Sequence, residues 1–489
     1  MSDTTIFIPK DSRDSVQLNE DGWITHPRGE TIEVYGPAKG HAIGCVHAYE
    51  PSEIDQRIEQ LAQGYQTWRF TRLTDRARLL HRWADILEKH ITPLAQLLML
   101  EIAKNRQDAS DEIQRSVDFI HYTAEEGLRL SGEALYGDAF PGHARNKVSL
   151  VGRVPLGVVL AIPPFNYPIN LAITKIAPAL MGGNAVILKP PTQGALSGLN
   201  IVHLAYEAGI PFNVLAAITG SSRNIGDYLV SHPYVKMVNF TGSTPTGQHI
   251  AQITTMMPLL LELGGKDAAL VLSDADMTLA RDQIVSGAFS YSGQRCTAVK
   301  RVLAVDELAS SLGLAIAEKV RTLTVGLPED NCMITPLISQ QSADFVWELI
   351  QEALEQGAVA LTPVHRKDNL IFPVVLDYVT PSMRIAWEEP FGPVLPIIRI
   401  QDEAEGISLA NASEYGLQAA IFTQDISKAF DLAEHLDVGT VQINGKTSRG
   451  PDHFPFVGTK SSGLGAQGVR YSILAMTRLK STVVNLGHV

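Results

Sequence analysis

A chain of 489 residues is too long for one ordinary hydrophobic core, so its length predicts two or three domains. Hydrophobic residues at 45% and charged residues at 19% describe a soluble globular protein. A formal charge of -12 without a long basic run argues against nucleic acid as the main partner. The same charge repels an anionic substrate at long range, but screening over ~8 Å leaves local arginines in control. Cys45, Cys296 and Cys332 are far apart and odd in number, which excludes a disulfide framework. Met1 to Lys10 is polar and lacks the apolar core of a signal peptide, and the apolar region Leu156 to Leu188 is broken by prolines, asparagines and Lys175. A cytoplasmic enzyme is the expectation.

In chain order, residues 31–49 read as two strands joined by a turn at Pro37-Ala38-Lys39-Gly40. His41, Cys45 and His47 lack a second ligand cluster and read as ordinary strand residues rather than metal ligands. From Pro51 to Leu130 the apolar spacing turns helical. Ile54, Ile58, Leu61 and Tyr65 form one stripe, and Thr74 is the expected cap of a second helix carrying Ala77, Leu80, Trp83 and Leu87. Leu94, Leu97, Leu98 and Ile102 mark a third helix. Ile113, Val117, Ile120 and Ala124 mark a fourth, with Arg115 off the apolar stripe as a surface charge.

Residues 146–272 alternate short apolar strands (157–162, 185–189, 214–219, 235–240) with helices (170–181, 194–207, 225–231), the pattern of a parallel sheet covered on both faces. Nucleotides bind at the carboxyl ends of such strands. Gly242 to Gly247 lies between a strand and a helix start, where amides can face phosphate. A G-x-G-x-x-G at Gly463, Gly465 and Gly468 follows no convincing strand and reads as a flexible loop, not a dinucleotide fingerprint. A second alternating region covers 262–460. The apolar tail Ser481 to Leu486 reads as a terminal edge strand that a partner subunit would cover.

Within the second region, Ser292-Gly293-Gln294-Arg295-Cys296-Thr297 places a cysteine in a small polar turn directly after a cation, which suits a thiol that substrate must reach.

Six segments carry a resemblance. Pro163-Pro164-Phe165-Asn166-Tyr167-Pro168, Leu188-Lys189-Pro190-Pro191-Thr192, Phe240-Thr241-Gly242-Ser243, Leu261-Glu262-Leu263-Gly264-Gly265-Lys266, Gly293-Gln294-Arg295-Cys296 and Glu389-Pro390-Phe391-Gly392-Pro393 occur in this order. Each resembles a signature of the aldehyde dehydrogenase superfamily, and together they span nearly the whole chain. The resemblance implies an α/β fold with a Rossmann-type cofactor-binding domain (1–132 and 153–261), an α/β catalytic domain (262–460) and a small β oligomerisation segment (133–152 and 475–489), assembled as a homodimer or homotetramer.

The same resemblance assigns roles. Cys296 would attack the aldehyde carbon as thiolate, which at an ordinary pKa is only a few per cent of the thiol near pH 7. Asn166 and the Cys296 backbone N–H would hold the oxyanion, where one donor is typically worth ~10²–10³ in rate. Glu262, in an apolar sequence context, would be the base that activates water for deacylation, with burial raising its pKa towards the working range. Lys189 would meet the adenosine ribose, Gly242 and Ser243 the pyrophosphate, and Glu389 with Phe391 the nicotinamide ribose. NAD-preferring members commonly place Glu at the position of Thr192. Thr192 removes that charge and can donate a hydrogen bond to a 2′-phosphate, so NADP is the expected cofactor. No metal is required.

For substrate, Arg115, Arg295 and Arg449, with Tyr167 and Thr297, resemble the phosphate-binding set of the non-phosphorylating, NADP-dependent glyceraldehyde-3-phosphate dehydrogenases. Guanidinium forks give a phosphate dianion paired, charge-assisted hydrogen bonds. On family grounds this replaces the surface-charge reading of Arg115. Gln-Arg-Cys alone is shared with methylmalonate-semialdehyde dehydrogenases, and the Arg449…Asp452-His453 pattern with lactaldehyde-type enzymes. The rival expectation is therefore an NADP-dependent dehydrogenase of another small anionic semialdehyde or hydroxyaldehyde. An idle member serving as a binding protein is disfavoured by the joint presence of Cys296, Glu262 and Asn166.

Overall fold

The computed structural model describes residues 30–486, preceded by the strand pair Leu18–Asn19 and Gly22–Trp23. The polar stretch Met1–Lys10 lies outside the described residues, as do positions 487–489. Strands Thr31–Gly36 and His41–His47 form the expected hairpin, and His47 sits within it, bonded through Nε2 to Glu53 at 2.9 Å.

Four helices follow. Helix α1 (Pro51–Trp68) opens on a proline at its first turn and a reciprocal Glu50–Glu53 capping box, and buries Ile54, Ile58 and Leu61. Helix α2 (Leu73–Lys89) corrects the expected cap: Arg72, not Thr74, is the N-cap residue. The Arg72 carbonyl accepts from Asp75 and Arg76, so the backbone has already turned helical by the time Thr74 is reached. Helix α3 spans Ile91–Ile102. Helix α4 (Arg106–Arg129) is capped by Asn105, whose side chain accepts from the Asp108 N–H at 2.8 Å. It buries the predicted stripe of Ile113, Val117, Ile120 and Ala124, but also Glu112, Ser116 and Thr123.

The first large sheet has six strands in the order Gly463–Leu464, Leu259–Glu262, Val235–Thr241, Val158–Ile162, Ala185–Leu188, Leu215–Ala217. All neighbours are parallel except the first pair. Helices α5 (Asn170–Met181), α6 (Ala195–Glu207), α7 (Ser222–Val230) and α8 (Thr244–Ile253) connect or flank these strands. Chain order runs outward from Val158–Ile162 in both directions, so the crevice between it and Val235–Thr241 is a topological switch point. Asn166 follows one of these strands and Gly242-Ser243 the other.

Gly463-Leu464 is not a flexible loop. It pairs antiparallel with Leu261–Glu262 at the sheet edge, and a Cβ at Gly463 would lie 2.2 Å from the Leu261 carbonyl. Close backbone approach, which sequence alone does not announce, explains the glycine there.

The second large sheet holds seven strands, with Ala268–Val271 and Arg301–Val305 near its centre. Helix α9 (Met277–Phe289) crosses between these two and leads into the cysteine turn. A third sheet, of three antiparallel strands, pairs Thr477–Asn485 with Lys147–Pro155 and then Glu133–Tyr136. Leu479, Val483 and Val484 on its terminal strand are exposed. The expected domain boundary between 261 and 262 falls inside the strand Leu259–Glu262.

Candidate active site

After Phe289 the chain leaves α9 in a tight turn in which Tyr291, Ser292 and Gly293 all have positive φ. Gly293 has a second constraint: a Cβ on it would lie 2.4 Å from the Gly392 carbonyl. The turn that presents the cysteine is thereby seated on the Glu389–Gly392 segment. Its other anchors are Ser292 Oγ, which donates to the Thr335 carbonyl at 2.9 Å, and Gln294 Oε1, which accepts from the Ile338 N–H at 2.9 Å. Gln294 also uses its carbonyl to accept from Asn166 Nδ2 at 2.8 Å, so the oxyanion-hole candidate is tied to the loop that carries Cys296.

Cys296 Sγ lies 3.4 Å from Glu262 Oε1. The other carboxylate oxygen, Oε2, accepts from Arg449 Nη1 at 2.8 Å and from Thr241 Oγ1 at 3.2 Å. One oxygen is anchored and one faces the sulfur. The apolar setting expected for Glu262 is therefore only half right: the carboxyl is buried, but among polar partners. Burial pushes the Cys296 thiol well above its ordinary range, the Glu262 charge adds to this, and Lys300 opposes it. The nearby cation favouring thiolate is Lys300, whose ammonium donates to the Cys296 carbonyl and pairs with Glu389 at 2.8 Å, rather than Arg295.

A cavity of about 220 Å³ opens at the sulfur. Cys296, Glu262, Arg115, Arg295, Arg449, Tyr167 and Thr297 all line it, which brings the expected substrate residues from four separate segments to one place. Their guanidiniums are not alike. Arg115 is gripped by both oxygens of Asp452 at 2.6 and 2.8 Å and also donates to the Arg449 carbonyl at 2.9 Å. Arg449 is shared between Glu262 and Gln467, 2.8 Å from each. Arg295 donates Nη2 to the Gly287 carbonyl, while its buried Nε meets no acceptor among the described residues.

The aldehyde dehydrogenase family profile matches residues 23–482. The chain belongs to the aldehyde dehydrogenase family. It is 52% identical over 457 residues to the NADP-dependent glyceraldehyde-3-phosphate dehydrogenase of Streptococcus equinus, covering 94% of this chain and 96% of that one. To the enzyme of the same description from Nicotiana plumbaginifolia it is 48% identical over 489 residues, 99% of this chain and 98% of the other. The crystal structure of the NADP-dependent glyceraldehyde-3-phosphate dehydrogenase from Bacillus halodurans C-125 complexed with NADP superposes with a TM-score of 0.94, at 51% identity over 97% of this chain and 99% of that one.

On the cofactor side of this aldehyde dehydrogenase, Lys189 follows the strand Ala185–Leu188 and is buried. Its Nζ donates to Ser222 Oγ at 2.8 Å and the Pro190 carbonyl at 3.2 Å, and burial pushes it down to about 8. No carboxylate among the described residues pairs with it, and Thr192 lies three residues on. A buried cation with only neutral partners fits an incoming hydroxyl or phosphate. Ser243 holds the N-cap position of α8 without a side-chain bond to the backbone there, its Oγ 2.8 Å from Thr246 Oγ1. Glu389 is held by Lys300 and by the Gly265 N–H at 3.2 Å, and Phe391 stands edge-on to Phe165 with centroids 5.9 Å apart. The chemistry of these residues fits a nicotinamide dinucleotide.

Several members of the site escaped sequence reading. Lys175 on α5 is fully buried and donates to Thr241 Oγ1 at 2.6 Å and Asn239 Oδ1 at 3.2 Å. Burial pushes it down to about 7, against the pull of Glu262. Lys446 and Ser448 line the cavity as well. Beneath Asn166 lies a buried ion pair: Lys104 donates to Glu112 and to the Asn166 carbonyl at 2.7 Å, with Nζ 3.6 Å from the Tyr167 ring centre. Glu112 Oε1 in turn accepts from the Ile169 and Asn170 N–H groups, both at 3.0 Å, at the start of α5. The only signal for Lys175 was its place in an apolar run. Lys104 and Glu112 stand in a charged stretch of sequence, 101–112, with no local mark of burial.

Proposed function

We propose that this aldehyde dehydrogenase oxidises D-glyceraldehyde 3-phosphate to 3-phosphoglycerate, with NADP⁺ and water as co-substrates. The observation that carries the reading is that Arg115, Arg295 and Arg449 line the same cavity as Cys296. Three guanidiniums exceed what a neutral aldehyde needs and suit a phosphate dianion several bonds from the carbonyl. The names of the relatives at about half identity support the same substrate and cofactor.

The chain's own residues supply the following chemistry. Cys296 sulfur adds to the aldehyde carbon while its proton passes to Glu262 Oε1, the oxygen that faces it. Charge developing on the carbonyl oxygen is met by the Cys296 N–H and by Asn166 Nδ2, which keeps one hydrogen beyond its bond to the Gln294 carbonyl. NADP⁺, when bound, supplies the hydride acceptor that turns the adduct into a thioester. Once Glu262 has released the cysteine proton to solvent, Oε1 takes a proton from the water that attacks the thioester carbon; the C–S bond breaks, and passing that proton to the departing sulfur regenerates the thiol. Arg449 and Thr241 hold Oε2 throughout, so the active oxygen keeps its aim.

Lys189, Thr192, Gly242 and Ser243 would bind the adenosine and pyrophosphate parts of the cofactor, and Glu389 and Phe391 the nicotinamide ribose. The six-stranded sheet serves as the cofactor-binding domain, the seven-stranded sheet as the catalytic domain, and the three-stranded sheet as the oligomerisation segment of a cytoplasmic homodimer or homotetramer. The exposed apolar residues of the terminal strand support that last role. The test is NADPH formation in phosphate-free buffer with glyceraldehyde 3-phosphate against unphosphorylated glyceraldehyde. A strong preference for the phosphorylated aldehyde is expected; equal kcat/KM on both would overturn the reading.

A further inference from the structure

A second cavity, of about 230 Å³, lies between the start of α2, the end of α4 and the root of the three-stranded sheet. It shares no residue with the cavity at Cys296. Arg69, Arg76 and Arg153 line it, with Ser131 and Gly132 beside them, and among the described residues no Asp or Glu does. Arg76 is 7% exposed, and its buried Nε and Nη1 meet no hydrogen-bond acceptor among the described residues. Its guanidinium packs on Gly183, where φ is +92° and a Cβ would lie 2.4 Å from Nη1, so glycine makes the space it occupies. Burial pushes Arg76 down to about 10, with no carboxylate to offset it.

The other two arginines also have no carboxylate partner among the described residues. Arg153 spends Nε and Nη2 on neutral acceptors, Thr477 Oγ1 and the Leu474 carbonyl at 2.6 Å and the Thr477 carbonyl at 3.0 Å. Arg69 lies against the rings of Tyr65 and Phe70, 5.3 and 5.0 Å from their centres. Leaving a buried cation unpaired costs several kcal/mol. In a chain of net charge -12, with acidic residues in excess, three guanidiniums around a cavity with no acidic residue among its described lining form a site without a counter-charge among the described residues.

We propose that this cavity is a second anion site, and that it takes a tetrahedral phosphate dianion, either free phosphate or a small phosphate monoester. Arg76 offers unspent N–H groups, Arg69 and Arg153 bring charge, and the Ser131 hydroxyl adds a neutral donor. An occupant ties the start of α2 and the end of α4 to the strand Thr477–Asn485. Gly127 at this cavity and Arg115 at the catalytic one are twelve residues apart on α4, about 18 Å along one rigid helix. Occupancy therefore bears on the helix that carries a substrate arginine. The second site itself stands whichever aldehyde the enzyme oxidises; only its link to Arg115, and the phosphate class that Arg115→Ala removes, rests on the proposed function.

The experiment is a titration of the full-length protein with inorganic phosphate and, separately, glycerol 2-phosphate, at matched ionic strength with chloride as control. Calorimetry should resolve two classes of site, of which Arg115→Ala removes one and Arg76→Met the other. Arg69→Ala should weaken the second class about tenfold. Arg76→Met should keep phosphate-free turnover within about twofold, because the residue touches nothing in the catalytic cavity. Tungstate soaked into crystals should give anomalous density within hydrogen-bond reach of Arg76. Comparing the two ligands tells whether free phosphate or a monoester is preferred. The proposal falls if phosphate binds in a single class that survives Arg76→Met, if tungstate avoids Arg76, or if a carboxylate of a second copy occupies the cavity.

Discussion

Arg449 Nη1 donates to Glu262 Oε2 at 2.8 Å, joining an arginine assigned to the substrate phosphate to the carboxylate assigned to deacylation. Both are nearly buried, at 9% and 3% side-chain exposure, so the pair is poorly screened. Arg449→Met should therefore damage two steps. KM for the phosphorylated aldehyde should rise about ten- to a hundredfold from the lost charge-assisted bonds. The thioester should also turn over more slowly, because Glu262 loses the partner that aims it. Burst kinetics separate the two; a rise in KM with an unchanged deacylation rate would show that Arg449 does not orient Glu262.

The raised pKa of the Cys296 thiol makes the free enzyme a poor nucleophile at neutral pH. A group whose pKa lies above its ordinary value holds its proton longer, so the thiolate fraction is depressed at every pH below that value. Alkylation of the cofactor-free protein by iodoacetamide, followed at Cys296 by mass spectrometry, should be slow near pH 7 and still rising above about pH 9. A rate that reaches its plateau near neutrality would contradict the environment described for the sulfur.

The buried Lys104–Glu112 pair predicts an asymmetric mutational result. Lys104→Met leaves Glu112 charged and unpaired, at a cost of about 3–5 kcal/mol in stability. Adding Glu112→Gln should recover most of this, since Gln keeps an oxygen for the Ile169 and Asn170 N–H groups. Acylation should stay slow in the double variant, by up to about 10²-fold, because the Asn166 carbonyl has lost its donor. Thermal unfolding and single-turnover rates check the two halves. Recovery of stability and acylation together would make the pair purely structural.

For cofactor choice, Thr192→Glu should move the NADP to NAD preference by about ten- to a hundredfold towards NAD, by placing a carboxylate where a 2′-phosphate is expected. The ratio of kcat/KM values for the two cofactors measures it. An unchanged ratio would take Thr192 out of the cofactor site.

The sequence by itself determined the strand and helix alternation around Val158–Thr241, the buried stripe of α4, and the order of the six motifs that carry Cys296, Glu262 and Asn166. Those signals are local: apolar periodicity and short strings whose spacing survives reading in one dimension. Tertiary structure alone decided where the charges pair. Arg449 meets Glu262 across 187 positions, and Arg115 meets Asp452 across 337. A lysine or glutamate in an ordinary helical stretch carries no periodic mark of being buried, so nothing in the sequence singles out Lys104 or Glu112, and Lys175 reads only as a break in an apolar region. Gly463 looked like loop because its partner, the Leu261–Glu262 edge, is brought to it only by the fold. Sequence names candidate reacting groups because their chemistry fixes residue type. Packing decides which oxygen of Glu262 is anchored and which is left to face the sulfur, because that depends on what low-dielectric burial brings within hydrogen-bond reach.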